Sequence, residues 1–366
     1  MKKFFLIGMV LVSAACATTT NEQSTAPKKP KNIILLIGDG MGLSQVSSAF
    51  YFKDDTPNFK RFENIGLSRT SSAKQKITDS AAGATAFSTG QKSYNGAIAV
   101  DVDTVAIPTI NEILYKEGWK TGIISTSSIT HATPASFYAH VKYRKMEDEI
   151  AAQLVDSDIQ FVAGGGQKWF SGNIDGKNTI ENLEKAGFTV SQESLEGPLS
   201  TDNRYAYLLA EDGMPRMLDG RGTFLGDATT KALEYFGMSE NSFFLMIEGS
   251  QIDWGGHAND SEYLISELID FDDVIGQVLD FAAKDGETLV IVTADHETGG
   301  FTLSANDGNY DEIKGTFSTG GHSTTLIPVF AFGPGSDQFR GIYENNEIFD
   351  KMLNAVGFKQ GGQKKN

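Results

Sequence analysis

Phe243-Phe-Leu-Met-Ile-Glu-Gly-Ser-Gln-Ile-Asp-Trp-Gly-Gly-His257 begins with an unbroken apolar run and ends in a cluster of polar groups. The apolar run predicts a strand buried on both faces, as in a parallel sheet. Glu248, Asp253 and His257 then follow within ten residues. Open α/β sheets place their ligand sites beyond the carboxyl ends of the strands, where these three side chains fall. Gly249, Gly255 and Gly256 are expected to supply tight turns that aim them at one region. Read alone, the stretch could equally be an acidic loop with a stray histidine. A second stretch repeats the pattern: Leu289-Val-Ile-Val-Thr-Ala-Asp295-His296-Glu297, followed by Gly299 and Gly300.

Outward from these two stretches, strand and helix patterns alternate. Asn32 to Ile37 reads as another buried strand, followed by Gly38-Asp39-Gly40-Met41-Gly42 and a helix to about Phe50. Pro108 to Lys116 reads as a helix with proline at its start and Gly118 just past its end. Thr121 to Ser125 reads as a short strand. Helical periodicity returns over Met146 to Val155, Thr179 to Lys185 and Ala228 to Tyr235. The longest helix is expected over Glu262 to Ala283, with one apolar stripe through Leu264, Leu268, Ile275 and Leu279. Leu326 to Phe332 is expected to close the sheet. A βαβ series of this kind predicts an α/β fold, a mostly parallel central sheet with helices on both faces.

Several of these strand ends carry chemistry. A Gly-rich turn after a strand could suggest a dinucleotide site, but the third glycine of that fingerprint would fall at Leu43. Asp39 inside the turn would also repel a pyrophosphate, so a metal ligand suits it better. In Thr78-Asp79-Ser80-Ala-Ala-Gly, the small-residue run reads as a helix start with Asp79 or Ser80 near the cap. Ser80 is either a simple N-cap or a nucleophile whose hydroxyl a metal could activate. No Gly-x-Ser-x-Gly elbow is present and no histidine is near it in sequence, which argues against a hydrolase triad. His131-Ala-Thr133-Pro134 and Arg144 add further candidates. An arginine can clamp two phosphoryl oxygens through its planar fork, although Arg144 alone reads as a surface residue. Among the five histidines, His257, His296 and His322 stand beside glycines or acids at strand ends.

The termini and composition bound the rest. Met1-Lys-Lys, the apolar stretch from Phe4 to Val12, and the small residues before Cys16 describe a secretory signal over residues 1–16. Its apolar core is too short for a membrane span. Cys16, the single cysteine, stands where a lipoprotein signal places its lipidated residue; an ordinary signal with an incidental cysteine is the alternative. The chain is therefore expected to be exported, to the periplasm or as an outer-membrane-anchored lipoprotein, and to fold without disulfides. Residues 17–30, rich in Thr, Pro and Lys, read as a flexible tether, and residues 31–366 as a single catalytic α/β domain. The net charge of −16 argues against a nucleic-acid-binding domain. It does not exclude an anionic substrate, because bound cations would dominate the local field.

From Asn32 to Glu347 the motifs resemble, in the same order, those of bacterial alkaline phosphatases. The matching pieces are Gly-Asp39-Gly-Met-Gly, Thr-Asp-Ser80-Ala-Ala, His131-Ala-Thr133-Pro, Arg144, Glu248-Gly-Ser-Gln-Ile-Asp253-Trp-Gly-Gly-His257, Ala-Asp295-His296-Glu-Thr-Gly-Gly and Gly-Gly-His322-Ser. The resemblance implies an alkaline-phosphatase-like fold and two zinc ions and one magnesium ion per chain. One zinc would be held by Asp253, His257 and His322, the other by Asp39, Asp295 and His296, and the magnesium by Asp39, Thr133 and Glu248. These donors agree with the preference of zinc for imidazole and carboxylate and of magnesium for oxygen. The implied reaction is hydrolysis of small phosphate monoesters through a phosphoserine on Ser80, with Arg144 holding the phosphoryl oxygens. Relatives are often homodimers.

Two positions depart from the best-known bacterial pattern, which has aspartate at His131 and lysine at Trp254. Both residues are expected near the substrate phosphate, where they would alter the charge around the third metal. The segment between His296 and His322 is also short. A phosphodiesterase, nuclease-like or sulfatase member of the same superfamily, or a silent metal- or phosphate-binding surface lipoprotein, is the rival reading; Ser80 and Arg144 weigh against both, and the third-metal set of Asp39, Thr133 and Glu248 against the first.

Overall fold

The computed structural model describes Met1 and residues 29–358, apart from 172, 175 and 176. Cys16, the expected signal segment and residues 17–28 of the expected tether lie outside the described residues.

Ten strands form the central sheet: β1 (Asn32–Gly38), β2 (Asn64–Arg69), β3 (Lys120–Ser128), β4 (Phe161–Gly165), β5 (Phe188–Ser191), β6 (Arg204–Leu208), β7 (Phe243–Gly249), β8 (Thr288–Thr293), β9 (Ile327–Phe332) and β10 (Gly341–Glu344). Their order is β10-β2-β9-β8-β1-β7-β3-β4-β6-β5. Every pairing is parallel except the two made by β9, which runs against both β8 and β2. The expected last strand therefore does not close the sheet but lies inside it. Its direction follows from the path: after β8 the chain stays at the carboxyl end through residue 326, so it re-enters the sheet from that end.

The strands of the middle are buried on both faces because successive side chains alternate. Ile33, Leu35 and Ile37 of β1 belong to one apolar core, and Ile34 and Leu36 to the other. The first core is covered by helices that include Ile110–Lys116 and Glu347–Val356. The second is covered by α1 (Leu43–Phe52), the helix Phe224–Gly237 and the long helix Ser261–Asp285. That long helix is set at its start by Asp260, which accepts hydrogen bonds from the N–H groups of Glu262 and Tyr263. It stops at Gly286 in the left-handed region, φ 66°. Its buried stripe includes Leu264, Leu268, Phe271, Ile275 and Leu279. Truncating Phe271 to alanine there would cost about 3–5 kcal/mol.

Two local expectations are corrected. The helix at Ile110–Lys116 starts not on Pro108 but after Thr109, whose hydroxyl and Glu112 form a reciprocal capping box. The Gln251–His257 segment is a helix, not a series of glycine turns. Gly255 and Gly256 have ordinary φ. They are small because of close approach: a Cβ on Gly255 would lie 2.6 Å from the Leu264 N, and one on Gly256 2.9 Å from Thr298 Cγ2. The helix places Asp253 and His257 one turn apart on the same face. Among the described residues, no helix is long and apolar enough to cross a membrane.

Candidate metal centre and active site

The site lies at the carboxyl ends of β1, β7, β3 and β8. In the sheet register Ile37 pairs with Glu248 and Ser125 pairs with Glu248 from the other side. Asp39 thus leaves β1 directly beside the carboxylate of β7. Gly40 has φ +73°, and a Cβ there would lie 2.8 Å from the Asp253 backbone; its N–H donates to Asp295 Oδ1 at 3.2 Å. This close turn is what lets three chain segments meet.

Three groups of side chains converge, with the ligand-type atoms of each group within 4.8 Å of one another. They are Asp253, His257 and His322; Asp39, Asp295 and His296; and Asp39, His131 and Glu248. The first two groups hold the same residues the sequence set together. The third brings in His131, which the sequence placed beside the phosphate, not among the metal ligands. His257 Nδ1 and His322 Nδ1 donate to the carbonyls of Gly320 and Thr78, each at 2.8 Å, so in the neutral rings the two Nε2 lone pairs face each other 3.1 Å apart, an arrangement that suits a cation between them. Asp39 Oδ1 and Oδ2, Thr133 Oγ1 and Glu248 Oε1 are buried without a hydrogen-bond partner. Buried polar atoms are rarely left so. Oxygen and imidazole donors of this kind, orphaned and converging, fit divalent cations.

The electrostatics of the bare groups point the same way. Burial, then Asp295, Asp253 and Glu248, raise the Asp39 carboxyl well above the usual range. Burial pushes Glu248 up to about 7 even though Ser125 and Ser127 hydrogen-bond its carboxylate. Burial also acts on Asp295, but His296, whose Nε2 is 3.1 Å away, outweighs it and holds that carboxyl down. His296 is raised despite its burial, chiefly by Asp295. His322 is lowered by burial and by His296, against which its ring stacks at 3.5 Å. Interacting carboxylates and imidazoles packed this densely form a set that bound cations would compensate.

Ser80 is the first residue of α2 (Ser80–Thr89), and its side chain is buried. Its Oγ lies 3.4 Å from His296 Nε2, a proximity sequence spacing could not show. That nitrogen also faces Asp295 at 3.1 Å and Asp39 at 3.6 Å. It is therefore placed as a ligand in a carboxylate cluster, not as a lone general base. Asp79 is the N-cap, accepting from the Ala82 N–H. Its other oxygen, Oδ2, holds Arg144 Nη1 at 3.1 Å. Anchoring Arg144 beside Ser80 is a role of Asp79 that sequence analysis missed, because it depends on a residue 65 positions away.

Arg144 Nη2 is also 3.1 Å from His131 Nε2. A guanidinium only donates, so Nε2 accepts and the ring proton sits on Nδ1, which is buried and unpartnered. Burial, then Arg144 and Lys145, drop His131 to about 3, so the ring is neutral. For Nδ1 to meet a cation, the proton must move to Nε2 and Arg144 must turn away. Trp254 packs edge-on against the His131 ring, centroids 6.0 Å apart. Other supports also escaped the sequence: the Thr298 hydroxyl donates to Asp253 Oδ1, and Gln45 Nε2 donates to Glu297 Oε1 at 2.9 Å. The remaining histidine, His140, bonds Ala99 O and Glu112 and takes no part in the three groups.

Comparison with known proteins agrees with this geometry. The family profile described as alkaline phosphatase matches residues 30–315. Alkaline phosphatase 3 of Bacillus subtilis (strain 168) is 32% identical over 461 aligned residues, covering 98% of each chain. Alkaline phosphatase of Escherichia coli (strain K12) is 31% identical, covering 93% of this chain and 89% of its own. The solved structure of alkaline phosphatase from the Antarctic bacterium TAB5 superposes with a TM-score of 0.89 at 55% identity, covering 91% of this chain and all 100% of the other. A histidine-to-aspartate mutant of the TAB5 enzyme has been solved with Mg bound in its M3 site.

Proposed function

We propose, from the premise that this chain belongs to the alkaline phosphatase family and hydrolyses phosphate monoesters, that it does so through a phosphoserine on Ser80. The observation that carries this reading is the Ser80 hydroxyl at the head of α2, between the convergent carboxylate–imidazole groups and Arg144. Asp253, His257 and His322 would hold one zinc, and Asp39, Asp295 and His296 the other. Asp39, Thr133 and Glu248 would hold a magnesium. Bound there, the cations would supply Lewis acidity for the attacking and leaving oxygens.

The chain's own residues do the rest. Arg144, held by Asp79, grips two non-bridging oxygens of the substrate and sets the phosphorus in line with Ser80 Oγ. Ser80 Oγ gives up its proton to solvent and bonds to the phosphorus as the P–O ester bond breaks, and the leaving oxygen takes a proton from water to depart as the alcohol. Water then attacks the phosphoserine, returning Ser80 and releasing inorganic phosphate. His131 and Trp254 line the phosphate side of the site and tune the charge there. Trapping the phosphoprotein at acidic pH tests the reading. Label on Ser80, with turnover nearly abolished in Ser80→Ala, is the expected result; label on any other residue overturns it.

This reading also has the protein exported and anchored through a lipid on Cys16. Mass spectrometry of the mature N-terminus is expected to find an acylated Cys16, and a free amine at Ala17 or beyond would contradict it.

A further inference from the structure

We propose that the groove between residues 69–76 and Thr324 binds a second anionic group of the substrate, so that organic bisphosphates are preferred over simple monoesters. The groove, of about 610 Å³, is lined by Arg69, Thr70, Lys74, Gln75, Lys76 and Thr324, among others. In a chain of net charge −16, residues 69–76 carry three cations and no carboxylate. Arg69 is paired with Glu344, which also takes Lys92 at 2.8 Å. Lys74 lies over the Tyr94 ring at 5.2 Å, and neither it nor Lys76 has an acidic partner among the described residues. The Thr70 hydroxyl is buried and without a partner. The groove therefore offers unspent positive charge and hydroxyls, which suits a phosphoryl group.

Its position ties it to the reaction proposed above, on which the inference rests. β9 runs against both β8 and β2, so β2 is parallel to β8 and ends on the same side as the site. Lys76 precedes Ser80 by four residues, so their Cα atoms are at most about 14 Å apart. Between them, the Thr78 carbonyl accepts from His322 Nδ1 at 2.8 Å, and Thr324 follows His322 by two residues. One wall of the groove thus leads into the Ser80 helix and the other out of the His322 cluster. A leaving group about six carbons long is the proposed span that would carry a second phosphate from the reacting centre to the lysines within that upper bound.

The test compares hexane-1,6-diol bisphosphate with hexyl phosphate in low-salt buffer, using wild type and the Lys74→Gln/Lys76→Gln double variant. Wild type is expected to show a KM about five-fold lower for the bisphosphate, beyond the two-fold due to its equivalent ends, as two exposed ion pairs would give. In the double variant that preference vanishes, with kcat and the hexyl phosphate kinetics unchanged. A wild-type preference no greater than two-fold overturns the proposal, as does one that survives the double substitution. If hexyl phosphate itself is not hydrolysed, the monoesterase reading fails instead, so the two failures are distinguishable.

Discussion

Asp39 and Asp272 are both fully buried, and the chain treats them in opposite ways. Asp272, on the long helix, accepts from Lys53 Nζ at 2.6 Å and from the N–H groups of Asn58 and Phe59 at 3.0 and 3.1 Å. Its charge is met within the fold. Asp39, at the other end of the β1–α1 connection, has neither oxygen hydrogen-bonded, and three carboxylates crowd it. Burying an ion without partners costs several kcal/mol. One carboxylate therefore belongs to the architecture, and the other waits for a cation the chain does not contain. The difference separates residues that hold the fold from residues the fold holds for chemistry.

Exchanging the two aspartates for alanine breaks the comparison most sharply. Asp39→Ala is expected to lower kcat/KM for a monoester by at least about a thousand-fold, with loss of bound metal. Yet the chelated variant should melt no lower than chelated wild type. The sign follows from the raised carboxyl: in metal-free protein its contribution is present at low pH and lost as pH rises above the ordinary carboxylate range. At pH 8 its removal therefore relieves the fold. Asp272→Ala should do the reverse, destabilising by about 3–5 kcal/mol in a denaturant titration while metal content stays unchanged.

His131 sharpens the comparison inside the site. The ring is neutral and its Nε2 is engaged by Arg144, so it adds no charge to attract magnesium. Wild type is expected to hold magnesium weakly and to be activated by adding it. His131→Asp should tighten magnesium by about ten-fold, since groups around metal ligands commonly change affinity by that much. An activation curve unmoved by the substitution contradicts this.

The smallest effect concerns a half-buried pair of the chain's own making. His140 loses some affinity for its proton through burial, but Glu112 and the Ala99 carbonyl reverse that and raise it. Glu112 is lowered, against its burial, by His140 and by the Thr109 backbone. A raised histidine stabilises fully below its ordinary pKa of 6.5, and a lowered glutamate fully above its ordinary pKa of 4.5. The stability difference between wild type and His140→Gln should therefore be largest near pH 5–6 and shrink as pH rises through the raised histidine pKa. A difference that is flat in pH from 5 to 9 would remove the pair from the account.

How much of this could be read from the chain depended on which interactions were local. The strands at Asn32–Gly38, Phe243–Gly249 and Thr288–Thr293 were legible because burial on both faces leaves a continuous apolar run. Phe161–Gly165 and Arg204–Leu208 were not, since apolar runs this short, one ending in two glycines and the other opening on arginine, carry no clear period. The Gln251–His257 helix was hidden by its two glycines, which serve packing and not a turn. The metal-type residues stood out because carboxylates and histidines beside buried strands lack a structural reason to be there. The anchoring of Arg144 by Asp79, and the approach of His296 to Ser80, exist only after the sheet forms.

The central claim is that the unpaired charge at the carboxyl end of the sheet is compensated by bound cations. Thermal unfolding of chelated protein against zinc- and magnesium-reloaded protein, at pH 8, tests it most directly. Ions bound a thousand-fold below their supplied concentration stabilise by about 4 kcal/mol per site, so reloading should raise the melting temperature by about 10 °C or more. Identical melting curves for the two samples would contradict the account.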